Sequence, residues 1–532
     1  MWHSQKIDKL PTSVIYVQRL ILLFLILSLS SVSMALKTND KSNNSIDLNL
    51  HRSGIESVDC LQIYGVDVER YHCGFLRVPE NYWRADSALI RVPFLVIFPD
   101  KDNFDVTLHP LLISGGGGPG NALLGNQYFQ PDNSSFWMYE EFSVADGRVL
   151  ILLENRGVGF SQPNLDCHYS SKIFQRSLWQ ELFDADKTCG SEYVSQGIDL
   201  SQYNVHNAAL DIEVFRRLYT DRGVDTSQIH LYGVSYGTRV SMYYERLFPD
   251  STSTLILDSV SLSDKDSSVY EMLYAQRSLD LVFSKCRVDS HCNELFGSGL
   301  ESEFYDFMTK VDSLEVLLPV QWPGKQKPIE LPLTATLVID LLHSALYDSD
   351  SFATVPSIVS QLVDGSYDRL TADFIDYIAS YSPEYYFSDT AFLTYLCSDM
   401  DYSDSNTDSA NELKIFRYWD FEDGNTYMNK ICSNYEISPI TDLLQQSYIS
   451  NTPTLFLSGE LDPVTPQASA HKVAARYSYH WSIVRANVSH DVISHSSCAR
   501  YLASWFLYHP QEDLARRMEE CEAEDELQFL ID

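Results

Sequence analysis

Short apolar runs alternate with amphipathic stretches in two separated parts of the chain. Up to Asp258, the runs Ile90–Phe98, Pro110–Ser114, Val149–Leu153, Ile229–Tyr232 and Thr254–Leu257 are short and almost continuously apolar. That pattern predicts strands buried on both faces. Between them, His206–Tyr219 sets Leu210, Val214 and Leu218 four residues apart on one helical face, and Gly237–Leu247 reads as a second helix. Strands interleaved with helices predict a mostly parallel sheet covered on both faces. From about residue 262 to 448 the texture changes. Helical patterns dominate, as in Tyr270–Phe283, Thr334–Tyr347 and Phe352–Leu362, with aromatic-rich loops such as Tyr381–Phe387. Alternation then resumes: Thr454–Leu457 and His480–Val484 predict two more core strands, and Cys498–Tyr508 a closing helix. The expected organisation is one α/β core, residues 36–261 and 449–532, interrupted by a mainly helical cap, residues 262–448. Residues 36–55, polar and rich in Asn, Ser and Asp, read as a flexible N-terminal stretch.

A length of 532 residues fits a core with a large insertion better than one compact domain. The first 35 residues have a different character. Lys6, Lys9 and Arg19 precede the apolar run Leu20–Leu27, and small residues follow to Ser33-Met34-Ala35. This is the order of a secretory signal, with cleavage expected after Ala35, and it predicts a secreted or periplasmic protein. A membrane anchor is the alternative, for which the strongly apolar core is short. Ten cysteines fit an oxidising compartment. Close spacing suggests Cys60 with Cys73 and Cys286 with Cys292. Cys167/Cys189, Cys397/Cys432 and Cys498/Cys521 are the simplest remaining pairs. No CxxC or zinc-like Cys/His spacing occurs, so no structural metal is expected. Sequons stand at Asn43, Asn133 and Asn487. A formal net charge of −35 repels nucleic acid and anionic membranes, and argues against either as a partner.

The chemistry-bearing residues sit where strand candidates end. Gly233-Val-Ser235-Tyr-Gly237 is a G-x-S-x-G between a predicted strand and a predicted helix. Glycines on either side allow the tight turn that exposes a serine hydroxyl at the sheet edge. The alternative is a turn with a capping serine. A serine needs a histidine to take its proton, and that imidazole needs a carboxylate to fix its tautomer. Asp462 lies just past the strand Thr454–Leu457, followed by Pro463, with Glu460 as competitor. His490 follows the last predicted strand, with His495 as rival; His480, inside that strand, reads as a packing residue. The run Gly115–Gly118 after Ser114 would let backbone N–H groups approach a ligand, and the N–H groups of Gly118 and Tyr236 are the expected oxyanion donors. Neither a Walker motif nor G-x-G-x-x-G spacing is present, and no cofactor is expected.

With these motifs in order, the chain resembles the prolyl iminopeptidase and tripeptidyl-aminopeptidase group of α/β-hydrolases. The resemblance runs through Cys73–Tyr82, Gly117–Gly120, Glu154-Asn-Arg156-Gly-Val-Gly159-Phe-Ser161, Gly233–Thr238, Cys286–Cys292 and Ser489-His490. It implies an α/β-hydrolase fold with Ser235 as nucleophile, Asp462 as acid and His490 as base. Gly116 stands where a histidine often opens the oxyanion loop, which resembles the tripeptidyl type. Glu154-Asn155 replaces the usual Asp-Gln. The family also implies an aminopeptidase acting on peptides with a free N-terminus, whose α-amine is held by cap carboxylates. Glu271, Asp280 and Glu384 are the residues considered for that role. An ester-cleaving hydrolase using the same triad, and a non-catalytic binding domain, are the other readings weighed.

Overall fold

The computed structural model describes residues 48, 50–60, 69–115, 118–124, 139–144, 146–167, 179–262, 267–320, 327–367, 387–400, 402, 413–416, 421–440, 448–521 and 529. The chain divides into two units, Met1–Leu48 and Asn49–Asp532, and every element named below belongs to the second. The predicted signal segment, residues 1–35, lies outside the described residues.

Eleven strands are described: β1 (Gly54–Val58), β2 (Tyr71–Pro79), β3 (Leu89–Ile97), β4 (Leu111–Ser114), β5 (Leu150–Leu153), β6 (Ile229–Val234), β7 (Thr252–Asp258), β8 (Leu317–Val320), β9 (Ile329–Pro332), β10 (Thr454–Gly459) and β11 (His480–Arg485). Nine form one sheet in the order β1-β2-β3-β5-β4-β6-β7-β10-β11. The first three pairings, β1 with β2, β2 with β3 and β3 with β5, are antiparallel, and the rest are parallel. Alternation sets the faces. Leu111 and Ile113, Leu150 and Leu152, and Leu455 and Leu457 join one cluster with Ala499, Leu502 and Phe506 of the closing helix. The intervening Leu112, Ile151 and Phe456 are equally buried, which is why these strands read as unbroken apolar runs. This is an α/β-hydrolase sheet. Its order reverses at β4, which has β5 on one side and β6 on the other, so the loops after β4 and β6 leave from adjacent strand ends.

The helices used below are α1 (Trp179–Ser195), α2 (Val205–Leu218), α3 (Tyr236–Leu247), α4 (Ser267–Val288), α5 (Ser290–Phe296), α6 (Leu300–Met308), α7 (Ala335–Tyr347), α8 (Val355–Asp364), α9 (Asp389–Asp399), α10 (Phe421–Asn434), α11 (Gln467–Ala474), α12 (Val492–His495) and α13 (Ser497–Tyr508). The insertion after β7 has its own apolar core, with Leu279 and Val282 of α4, Phe304 of α6, Leu342 and Leu346 of α7 and Val359 of α8. A hairpin, β8 with β9, adds strand to a segment whose sequence reads as helical. α1, between two core strands in sequence, packs against α10 and α9; the Tyr435 hydroxyl donates to the Asp186 carbonyl across that contact at 2.9 Å.

Two strands at the antiparallel edge, β1 and β2, have no counterpart in the sequence reading. Gly54 and Ile55, the last described positions of the stretch read as flexible, open β1 and pair with Arg77 and Leu76. All five expected cysteine pairs are disulfides: Cys60–Cys73, Cys167–Cys189, Cys286–Cys292, Cys397–Cys432 and Cys498–Cys521. Five disulfides fit an oxidising compartment. Among the described residues no helix is long and apolar enough to cross a membrane.

The loop after β5 is fixed by a buried ion pair. Arg156 Nη2 lies 2.6 Å from Asp211 Oδ1 and Nε 2.8 Å from Oδ2, while Nη1 donates to the Glu80 carbonyl at 2.7 Å. The Tyr82 hydroxyl donates to the same carboxylate at 2.6 Å. These contacts bind the end of β2, the β5 loop and α2 into one block. Removing the cation leaves Asp211 buried without its counter-charge. Arg156→Met is therefore expected to lower unfolding free energy by about 3–5 kcal/mol, read from denaturant melts. A midpoint equal to wild type would contradict this reading.

Candidate active site

Ser235 sits between β6 and α3 with φ +54° and ψ −121°, a conformation that costs a non-glycine residue about 1–3 kcal/mol. Its neighbours make the turn possible. A Cβ at Gly233 would lie 2.6 Å from the Gly237 carbonyl carbon, and one at Gly237 would lie 2.8 Å from the Gly115 oxygen. Gly237 thus seats the elbow directly against the glycine loop that follows β4. The Ser235 N–H donates to the Asp258 carbonyl at 2.9 Å. Ser235 is buried, at 8% exposure.

Asp462 follows β10 and is wholly buried. Its Oδ1 accepts from the N–H groups of Val464 at 2.8 Å and Thr465 at 2.7 Å. Its Oδ2 accepts from the Thr465 hydroxyl at 2.8 Å and meets His490 Nδ1 at 2.9 Å. Burial pushes this carboxyl upward, but the His490 charge and these donors outweigh it and hold its pKa below the ordinary value. His490 shows the converse. Burial disfavours the imidazolium, yet Asp462 outweighs it and raises the pKa. With Nδ1 committed to Asp462, the buried Nε2 has no hydrogen-bond partner among the described residues. A Cβ at Gly459 would overlap the Ser489 carbonyl, so the acid's strand and the base's loop touch at a position only glycine fits.

Asp258, unremarked in the sequence reading, joins these parts. Its carbonyl accepts from Ser235, while its carboxylate accepts from the N–H groups of Val492 at 3.0 Å and Ile493 at 2.9 Å. Next to it, the Ser259 hydroxyl accepts from the Asp491 N–H at 3.1 Å. The end of β7 therefore holds the serine's backbone and the first turn after the histidine together. Burial, then the nearby Asp491 charge, pushes Asp258 up to about 7. The sequence signal was a lone carboxylate closing the apolar run Thr254–Leu257.

Gly118 adopts φ +62°, and its carbonyl accepts from the Asn121 N–H at 3.1 Å. Gly116 and Gly117 lie outside the described residues. Tyr236 opens α3, and its hydroxyl donates to Asp399 Oδ2 at 2.6 Å, linking the elbow to α9. The Asn155 amide is buried against Gly115, and neither of its polar atoms has a hydrogen-bond partner among the described residues.

The rivals have other partners. Glu460 accepts from the Asn487 N–H at 3.0 Å and lies 2.9 Å from Lys285 Nζ. His495 Nε2 lies 3.8 Å from Asp348, and with Asp350 these two form a group whose carboxylates are exposed or partly so. His480 is exposed on edge strand β11, so the packing role read from sequence reduces to a ring contact with Phe456. Of the cap carboxylates, Asp280 is taken by Lys414 at 2.9 Å and by the Tyr305 hydroxyl. Glu271 lies 3.8 Å from His343 and, with Asp399 and Arg239, acts electrostatically on the half-buried Tyr402. Glu384 lies outside the described residues, as do Asn43 and Asn133; the Asn487 side chain accepts from Lys285 at 2.8 Å.

Sheet order, the elbow at β6 and the Asp–His pair beyond β10 define an α/β-hydrolase. Residues 419–518, which carry both Asp462 and His490, match the Abhydrolase_4 family of TAP-like proteins. Over those residues the chain is similar to tripeptidyl-aminopeptidase-like proteins, and its fold is that of the α/β-hydrolases. No curated protein matches it in sequence. Similar solved structures include a serine hydrolase involved in carbazole degradation, 12% identical over 79% of this chain and 95% of that one at a TM-score of 0.34. Another is a thermophilic esterase from Thermogutta terrifontis, 13% identical over 82% and 99% at 0.34. Potato epoxide hydrolase I is 13% identical over 79% and 95% at 0.33. Overlaps this loose carry no argument, and the fold stands on its own strand order.

Glu154, at the end of β5, gives a pH test of this region. Burial pushes its carboxyl from 4.5 up to about 7, against hydrogen bonds from the N–H groups of Leu124, Asn155 and Leu123. The folded state keeps the proton longer than the unfolded chain does. The associated stability is complete below pH 4.5 and is lost as pH rises to about 7. Glu154→Gln, which mimics the protonated form, is expected to lose less Tm than wild type between about pH 5 and 8. Parallel Tm curves would contradict the assignment.

Proposed function

We propose that the chain is a secreted serine exopeptidase that removes residues or short peptides from free N-termini. One observation carries the reading: His490, buried, commits Nδ1 to Asp462 and leaves Nε2 without a partner among the described residues, on a loop tied to the serine's turn by Asp258. In this reading Ser235 Oγ attacks the scissile carbonyl carbon as its proton passes to His490 Nε2. The N–H groups of Gly118 and Tyr236 receive the developing oxyanion. The C–N bond then breaks as His490 gives the proton to the leaving amine, and water, activated by the same imidazole, releases the acyl group from Ser235. Asp462 stays ionised throughout and holds the ring. Its depressed pKa suits that task.

The amine preference rests on the cap. Of the carboxylates considered from sequence, Glu271 acts electrostatically on Tyr402, as does Asp399, which accepts from the Tyr236 hydroxyl at 2.6 Å. An ammonium placed among these carboxylates would gain charge-assisted hydrogen bonds that a blocked N-terminus cannot form. The −35 net charge adds attraction for cationic peptides.

Two measurements check this. Aminoacyl and tripeptidyl amides with free N-termini are expected to turn over with kcat/KM at least about tenfold above N-acetylated counterparts, the worth of one such contact. Equal rates, or turnover confined to p-nitrophenyl esters, would replace the aminopeptidase with an esterase. Asp462→Asn is expected to cut kcat by about 10³–10⁴, because the imidazole loses its fixed tautomer. A drop under about tenfold would remove Asp462 from that role.

A further inference from the structure

We propose that the cap positions the base: Tyr347 and Ser349, at the end of cap helix α7, hold His490 in its working orientation. This rests on the serine-hydrolase reading above, though not on its peptide specificity. The Tyr347 ring lies 4.4 Å from the His490 imidazole, centroid to centroid, inclined by 38°. The His490 N–H donates to the Tyr347 carbonyl at 3.3 Å. The preceding residue is gripped as well: the Ser489 hydroxyl donates to the Leu346 carbonyl, and its N–H donates to the Ser349 hydroxyl at 2.9 Å. One residue further, Asp348 stands 3.8 Å from His495 on α12. Successive residues of one helix end therefore engage Ser489, His490 and His495.

The anchoring is rigid on the cap side. Leu346 is wholly buried in the cap's apolar core, so its carbonyl cannot drift without disturbing that core. Tyr347 itself is 38% exposed, so its ring lies against the imidazole while part of it meets solvent. An aromatic ring beside an imidazole favours the cationic form. The charged groups acting on His490 are carboxylates, Asp462 from the β10 loop, Asp491 beside it and Asp258 from the end of β7, and the Thr465 hydroxyl stands 3.1 Å from Nδ1. With Tyr347 they set the base strength together, so losing the ring weakens the base without touching the acid. A cap motion that lifts α7 would release the imidazole from one of its two supports. Substrate entry that keeps the site active must then leave this helix end in place.

The test is the rate at which a fluorophosphonate labels Ser235 in the full chain, followed across pH, because that reaction needs the serine and histidine but no peptide recognition. Tyr347→Leu is expected to lower the plateau rate about tenfold and move the acid limb to lower pH. Tyr347→Phe, which keeps the ring, is expected to recover most of both. Ser349→Ala is expected to lower the plateau about fivefold through the lost Ser489 bond. Plateau and midpoint equal to wild type in Tyr347→Leu would overturn the proposal. Should that variant fail to fold, an unchanged plateau in Ser349→Ala would overturn it instead. Wild-type protein that takes no label would reject the serine-hydrolase reading itself, a different failure.

Discussion

The site depends on one buried ion pair. Asp462 and His490 are both closed off from water, where an unpaired charge would be costly. The carboxylate is affordable there because four donors converge on it: two backbone N–H groups, one hydroxyl and the imidazole. The histidine then has one nitrogen fixed and one open. In the mechanism proposed above, that open nitrogen takes the proton of the Ser235 hydroxyl.

The surroundings of Ser235 hold its turn in one shape. A left-handed serine, two glycines without room for a Cβ and a strand end that accepts its N–H leave the turn little freedom. Asp258 connects the turn to the loop after His490, so a displacement of β7 would move both together. The cap grips that same loop from the other side, through the end of α7. Core and cap thus share the imidazole, and the insertion between β7 and β10 is part of the catalytic apparatus proposed here as well as a cover for it.

Much of this was legible in the chain. Strands buried on both faces announced themselves as apolar runs, and G-x-S-x-G, Asp462 and His490 stood just beyond such runs in the order the fold requires. Cysteine spacing was enough to suggest all five pairs. The strands β1 and β2 were not legible, because β1 is half-exposed and carries no apolar run, and β2 mixes His72, Gly74 and Arg77 among its apolar residues. The β8–β9 hairpin, with Pro319 and Pro332 in four-residue strands, left no alternation to read. Asp258 and Tyr347 were hidden for another reason. One looks like a strand-ending turn residue and the other like the last aromatic of an amphipathic helix. Their links to the loop around His490 run through contacts more than a hundred residues distant in sequence.

The most direct measurement is peptide-mass mapping of the full chain after reaction with a fluorophosphonate, with His490→Ala alongside. The arrangement predicts a single adduct, on the peptide bearing Ser235, and near-complete loss of that adduct without the imidazole. An adduct on another residue, or labelling of His490→Ala at the wild-type rate, would contradict it.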